Sequence, residues 1–517
     1  MLPETMLKRF NNYLPKSWKI CFLSALLVGL IAHLYKITGW IPNWDSLVFR
    51  YDPQNMLGLG RWFLPVVCGL TSFYDLPFLN GLIAILFHGL GAVCIIQLLD
   101  IKKSVAAALV GGLVVAFPTV TSVLMYNYVA DGYAVSFFLA CLAAVCFAKG
   151  KWKDFIIGAL LLALSSGIYQ AYVSVTITLL LLYFADRLIF GTQKTGTVFM
   201  HSLKVAVAGL CGMLLYYGVL LMLLKFTGTE LLEYQGIQNT SSASGMDIGT
   251  SLYVMVHAFV DFFFDFSQGV QLFPLLNLFI FALMVSGYLV GAIVHHAGKP
   301  WYTFALIAVY GVFLPVGASV LALINPSIDY HNLMKMGYCT FYIAFVLLYE
   351  RLDCFKETMQ AVVSWSVFGV ASVLILNQVV IANVSYHKAQ MAYEKSFGTL
   401  IRIADRIEQT EHTETCEKIL VVGTLPGSES YSVALPPEIT GVTDGYILRF
   451  DDEVVGQSVV TSALNDYCGT NYQFVAGWEK QELLSRTEVE NMTAWPGKTA
   501  VSVVDNVIVL KLGMESE

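Results

Sequence analysis

Apolar residues run through this chain in blocks of about 20, the length a bilayer crossing demands, separated by short polar stretches. The blocks fall at residues 20–35, 78–98, 104–119, 133–148, 155–184, 204–224, 273–294, 302–324, 337–349 and 359–382. Each reads as a membrane-spanning helix. The block at 155–184, FIIGALLLALSSGIYQAYVSVTITLLLLYF, is long for one crossing at about 1.5 Å per residue. Ser165, Ser166 and Gly167 interrupt it midway. One crossing and a hairpin of two short spans are the alternatives, and the choice sets the side of every later loop.

Two stretches depart from this pattern. LYVMVHAFVDFFFDFSQGVQ, residues 252–271, is apolar but carries His257, Asp261 and Asp265 at spacings of four, one face of a helix. Charge at mid-membrane is expensive, so this segment reads as an interfacial or re-entrant helix. After residue 383 the pattern changes. SYHKAQMAYEKSFGTLIRIADRIEQTEH reads as a charged amphipathic helix, KILVVG as a buried strand, and TAVSVVDNVIVLKL as two strands joined at Asp505 and Asn506. The expected organisation is a membrane domain over 1–383 and a small α/β domain over 384–517.

Composition agrees with that class. Hydrophobic residues make up 57% and charged residues 13%, against about one quarter charged in a soluble domain. The first block ends in HLYKITGW without a small-residue cleavage site and reads as an uncleaved span. Charge placement then decides the hairpin. With two short spans over 155–184, the clusters Lys8/Arg9/Lys16/Lys19, Lys102/Lys103, Lys149/Lys151/Lys153, Arg187/Lys194/Lys204, Lys299 and Arg351/Lys356 share one side. Only Lys36, Arg50, Arg61, Lys225 and Lys335 fall in short loops on the other. The positive-inside rule therefore favours about 11 spans, a cytoplasmic N-terminus and an extracytoplasmic C-terminal domain.

Four polar elements then face the outer side. NWDSLVFRYDPQNMLGLGRW carries Asp45, Asp52 and Arg61; FPTVTSVLMYNYVADGYA carries Asn127 and Asp131; the hairpin tip SSGIYQAY carries Tyr169 and Gln170; NPSIDYHNLMKMGY carries Asp329, His331, Asn332 and Lys335. Solvated loops also carry charges, and Asp131 has the context of an acid near a helix N-terminus. Together, however, these elements bring carboxylates, amides and cations to one depth. A carboxylate is a natural general base for a hydroxyl, and Arg or Lys a natural clamp for a phosphate leaving group. KILVVG is followed by GTLPGSES rather than G-x-G-x-x-G, which argues against a dinucleotide site. The ten cysteines include no CxxC and no Cys/His cluster at metal spacing; Cys416 and Cys468 belong to the outer domain, where they could pair.

The chain resembles the glucosyltransferase GtrII family, bacterial membrane enzymes of the glycosyltransferase-C superfamily. The resemblance rests on NWDSL, GRW before the second span, ADGYAVSFFLA, GIYQAYVS and the tail MTAWPGKTAVSVVDNVIVLKL, and it covers nearly the whole chain. It implies a GT-C-like membrane domain that moves a hexose, glucose above all, from a polyprenyl-phosphate-linked donor to a cell-surface glycan on the outer face of the bacterial cytoplasmic membrane. The acid of the first outer loop, Asp45, takes the role of base in that picture, with Asp131 as the second catalytic candidate. Arg61, Lys335 and His331 are the candidates for the donor phosphate, and Asp52, Tyr169 and Gln170 for the acceptor cavity. The expected partners are the lipid-linked donor, the glycan and the bilayer, with no nucleic acid. No cofactor and no obligatory metal are expected, although Asp45 with Asp131 could hold an ion. A lipid-linked sugar flippase and a non-catalytic assembly subunit are the other classes compatible with broken helices and outer charges.

Overall fold

The computed structural model describes residues 2–49, 56–71, 74–232, 248–265, 272–296, 300–324, 330–354, 357–423, 425 and 453–513. Among these the chain divides into two compact units, one within Met1–Thr38 and Pro53–Asn383, the other within Gly39–Asp52, Val384–Leu435 and Val442–Glu517. Asp52 and Asp329 lie outside the described residues.

The first unit is helical. Helices α1 (Pro3–Tyr13) and α2 (Lys16–Thr38) come first; α3 (Trp44–Phe49) belongs to the second unit. Then follow α4 (Leu64–Cys68), α5 (Pro77–Leu98), α6 (Ser104–Ala116), α7 (Pro118–Met125), α8 (Asn127–Lys149), α9 (Trp152–Ile168), α10 (Val173–Ile189) and α11 (Thr195–Thr227). After them come α12 (Ile248–Phe264), α13 (Leu272–His296), α14 (Trp301–Ala318), α15 (Val320–Ile324), α16 (Cys339–Glu350) and α17 (Glu357–Glu408), whose first part lies in this unit and whose remainder lies in the second. By length and composition, nine helical segments among the described residues are long and apolar enough to cross a membrane. The two further expected spans are helices of 17 residues, α9, and 12 residues, α16.

The long apolar run breaks where its backbone turns. Tyr169 is extended and Gln170–Tyr172 forms a single 3-10 turn, so the interruption falls just after the Ser-Ser-Gly triplet, which still belongs to α9. Cross-contacts fix the directions. Ser136 donates to Ser165 O at 2.8 Å, and Phe147 packs on Gly158, so α9 runs against α8. Thr176 donates to Ala140 O at 2.9 Å and Tyr183 to Ala148 O at 3.4 Å, so α10 runs with α8. The run is a hairpin.

Its consequence is that the two ends of this unit differ chemically. At one end Arg351 donates to both Asp186 oxygens at 2.8 Å and to Leu99 O at 2.8 Å, while Lys103 Nζ donates to Tyr349 O and Glu350 O at 3.1 Å. The basic residues Lys102, Lys103, Arg187 and Arg351 gather there. The opposite end holds the starts of α5, α8 and α10 and the end of α9.

Two stretches between the expected spans are helical, the second of them as its sequence predicts. The segment 117–134 is helical, because Pro118 opens α7 at a position where its missing N–H costs nothing and Asn127 opens α8. The segment 252–264 is α12, which buries Phe259 and Phe263 against Tyr338 and Phe341 and leaves the His257–Asp261 pair, 2.9 Å apart, exposed.

The second unit is a four-stranded sheet with helices. The strands are β1 (Lys418–Val422), β2 (Gln473–Phe474), β3 (Val501–Val504) and β4 (Val507–Lys511), in the order β2-β1-β4-β3. β1 is parallel to both neighbours, and β3 and β4 form a hairpin. Asp505 and Asn506 turn it with φ of 50° and 63°, the left-handed pair that matches strand twist. Helices α18 (Glu453–Cys468), α19 (Gly477–Leu484) and α20 (Thr487–Glu490) complete it. The core joins Ile419, Ile508 and Leu510 of the sheet to Leu400 and Ile403 of α17 and Val459 and Ala463 of α18. Leu47 of α3 is buried in the same core, and Trp40 Nε1 donates to Tyr467 Oη at 2.7 Å. Trp495 of the tail motif lies under the guanidinium groups of Arg402 and Arg406, 5.5 and 5.7 Å from its centroid. That motif therefore packs this unit. Cys416 and Cys468 are free thiols.

Candidate active site

The stretch Leu59-Gly60-Arg61-Trp62-Phe63 is fastened to the hairpin tip. Gly60 has φ +75°, the left-handed conformation glycine enters without penalty. A Cβ there would stand 2.7 Å from both Gln170 Nε2 and Tyr216 Oη, so the position demands glycine twice over. Those two groups hold the turn. Gln170 Nε2 donates to Leu59 O at 2.9 Å and to Tyr216 Oη at 3.1 Å, and Tyr216 Oη donates to Gly60 O at 3.1 Å. Phe63 N donates to Gly167 O at 2.7 Å, and the Trp62 ring fills the space a Gly167 side chain would need.

This clasp aims Arg61 at two tyrosines. Its Nη1 donates to Tyr133 Oη at 2.9 Å. The guanidinium carbon lies 5.8 Å from the Tyr133 centroid and 5.2 Å from that of Tyr169. The two rings stack at 4.3 Å with planes 18° apart. Cation–π contacts of this kind contribute about 0.5–2 kcal/mol each, so the Arg61 side chain is held in one orientation. The hydroxyls of Tyr169 and Tyr172 are buried and find no hydrogen-bond partner among the described residues.

Asp131 lies beyond the first turn of α8 and is 1% exposed. Thr71 Oγ1 donates to its Oδ2 at 3.1 Å, Gly132 N to its Oδ1 at 2.9 Å, and the Cys68 thiol lies 3.9 Å from Oδ1. Gly132 is bare where Leu64 packs on it. Since Leu64, Cys68 and Thr71 directly follow the Arg61 stretch, Asp131 and Arg61 are positioned by one continuous segment.

Beside them is a polar cluster that sequence reasoning missed. Asn127 Nδ2 donates to Asp75 Oδ1, and Asn80 Nδ2 donates to Asn127 O at 3.0 Å and Tyr74 O at 3.1 Å. Asp75 also acts electrostatically on Lys36, which is 1% exposed. The signal was present: TSFYDLPF places an acid immediately before a span, and a lysine three residues past His33 closes the preceding one.

His331 and Lys335 sit on the 3-10 segment Asn332–Tyr338. His331 caps it, its Nδ1 accepting from Leu333 N at 3.3 Å. Lys335 is 9% exposed, with Nζ 5.8 Å from the Phe262 and Tyr330 centroids. Thr119 Oγ1 donates to Asn332 O at 2.7 Å, and Gly337 packs on Ser174 just past the hairpin tip.

Asp45 belongs to the other unit. It lies in the first turn of α3 at 8% exposure, and its N–H donates to Asn43 Oδ1 at 3.0 Å, the bond of an N-cap. Among the described residues no group of three His, Cys, Asp or Glu side chains could hold a metal ion.

Helices of membrane length, a hydrophilic α/β unit and a cation caged by tyrosines at one end of the helical unit define a multi-pass membrane protein with a polar site at that end. The family model for the glucosyl transferase GtrII matches residues 34–348, more than half of the chain. The chain belongs to this family, and membership implies a glycosyltransferase. The match contains GRW, ADGYA and GIYQAY, the three motifs that meet around Arg61, and ends before the tail motif. Neither the curated proteins nor the solved structures include a match to this chain.

Proposed function

We propose that this protein transfers a hexose, glucose in the first instance, from a polyprenyl-phosphate-linked donor to a cell-surface glycan such as O-antigen, wall polysaccharide or teichoic acid. The reaction takes place on the outer face of the bacterial cytoplasmic membrane, with the N-terminus cytoplasmic and residues 384–517 outside, guiding the acceptor. A general base takes the proton of an acceptor hydroxyl, the hydroxyl oxygen bonds to the anomeric carbon, and the bond from that carbon to the phosphate oxygen breaks. Polyprenyl phosphate leaves with the negative charge.

The observation that carries this reading is the fixed Arg61 guanidinium, held by Tyr133 and Tyr169 at the end of the unit where three family motifs converge. A cation oriented before the reaction stabilises a departing phosphate without reorganising. Lys335 and His331 assist at the phosphate. Asp45 is the base, with Asp131 as the second acid. Asp52 and Tyr169 serve the acceptor, and Gln170 contributes by holding the Arg61 stretch. The buried Tyr169 and Tyr172 hydroxyls support a sugar-binding role, because an unsatisfied buried hydroxyl costs about 1–3 kcal/mol and a sugar or water hydroxyl would satisfy it.

One observation favours a second reading, a lipid-linked sugar flippase. His33 and His88 are fully buried within α2 and α5, and ionisable side chains inside spans mark transport pathways in many proteins. Purified protein in liposomes, offered a panel of polyprenyl-phosphate sugars and surface glycans, separates the two. Glycan product formed from the lipid-linked donor is expected. Movement of the lipid-linked sugar across the bilayer without product would establish the flippase instead.

A further inference from the structure

The N-terminal segment MLPETMLKRFNNYLPKSWK plays no part in the chemistry above, yet it forms a helix, α1, with sharply divided faces. At 100° per residue, Leu2, Met6, Phe10 and Tyr13 fall on one side, and Thr5, Lys8, Arg9 and Asn12 on the other. Among its described side chains the apolar side has no protein cover: Leu2 is 70% exposed, Met6 67% and Tyr13 85%. An isolated helix of 11 residues is marginal in water, and its stability comes from burying such a face.

What covers it follows from position and charge. Only Leu14 and Pro15 separate α1 from Lys16, where the span α2 begins, and two residues reach at most about 7 Å. In α2 the residues Leu23, Leu27 and Ile31 are exposed at spacings of four, the stripe that faces lipid. The apolar face of α1 is therefore continuous with the bilayer boundary. In the sequence Lys8, Arg9, Lys16 and Lys19 flank the junction against the single acid Glu4, a balance that suits anionic headgroups and opposes a basic protein partner.

We infer that α1 lies in the plane of the membrane interface and binds anionic phospholipid through this basic cluster. It is a surface anchor of the amphipathic-helix type. This does not depend on the reaction the protein carries out.

The test uses the full-length protein, stripped of reactive native thiols, in nanodiscs of phosphatidylcholine with or without one-third phosphatidylglycerol. A nitroxide is placed on a cysteine at Met6 or at Thr5, both exposed positions, and its accessibility to oxygen and to a water-soluble nickel chelate is measured. In anionic nanodiscs the oxygen-to-nickel ratio at position 6 is expected to exceed that at position 5 by about fivefold, as for a helix lying in the interface. Removing phosphatidylglycerol, or making K8Q and R9Q together, is expected to lower the ratio at position 6 toward that at position 5. Equal ratios at the two positions in anionic nanodiscs would overturn the interfacial placement. A ratio at position 6 that ignores both the lipid and the double substitution would overturn the headgroup recognition.

Discussion

Arg61 Nη1 donates to Tyr133 Oη at 2.9 Å while its guanidinium lies 5.2 Å from the centre of the Tyr169 ring. The arginine is thus held through both its edge and its face, and its ordering entropy is already lost before any ligand arrives. Tyr133→Phe removes the hydroxyl and keeps the ring. Because a hydrogen bond to a charged group contributes about 1.5–3 kcal/mol, KM for the lipid-linked donor is expected to rise at least about tenfold, with a smaller change in kcat. Arg61→Gln is expected to do more, and Arg61→Lys not to rescue it, since an ammonium cannot reproduce the planar fork. Initial rates over a range of donor concentrations check this.

The clasp that carries Arg61 depends on Gly60. Gly60→Ala forces a side chain into the left-handed region, at about 1–2 kcal/mol, and into Gln170 and Tyr216. A lowered Tm and loss of transfer are expected. Gly69→Ala is the control: its backbone is helical, with φ −59°, and nothing lies within 4 Å of the added Cβ. Thermal unfolding in detergent should leave Gly69→Ala near wild type and shift Gly60→Ala down.

At the opposite end the Arg351–Asp186 pair is largely removed from solvent, with side-chain exposures of 18% and 4%. Arg351→Ala strands a buried carboxylate and is expected to destabilise the protein by about 3–5 kcal/mol. Arg351→Met combined with Asp186→Leu removes both charges and is expected to recover most of that loss. A double mutant no more stable than Arg351→Ala would show that the hydrogen bond to Leu99 O, rather than the charge pair, ties these helix ends together.

The helical class, the break in the 155–184 run and the β3–β4 turn were legible because each rests on local signals: apolar length, basic clusters, and an Asp-Asn pair between β-branched runs. ADGYA shows Asp131 as an acid near a helix N-terminus, where the structure has it, but its burial was not legible, because it depends on Thr71 and Leu64, remote in sequence. Likewise GRW and GIYQAY were each visible as motifs. That Gly60 meets Gln170 is a packing fact across more than 100 residues, and single-sequence periodicity carries no information about it. The membership of residues 39–52 in the second unit was hidden for the same reason: Leu47 finds its core among residues near 400 and 460.

Sidedness has a direct readout on α11, whose 33 residues span about 50 Å. In a background without reactive thiols, a cysteine replacing the exposed Glu230 is expected to react with an impermeant maleimide added to intact cells. One replacing the exposed Gln193 is expected to react only after permeabilisation. The reverse pattern would put Arg61 and Lys335 on the cytoplasmic side.

The most direct test of the whole account is single-turnover transfer in liposomes, with wild type, Asp45→Asn and Asp131→Asn compared against a polyprenyl-phosphate hexose and its glycan acceptor. Wild type is expected to form product. Asp45→Asn keeps the shape of the side chain but cannot act as a base, and is expected to bind donor normally and transfer slower by about two orders of magnitude. Asp131→Asn is expected to lose less. Transfer by Asp45→Asn at close to the wild-type rate, or a wild-type protein that binds the donor and transfers nothing, would contradict it.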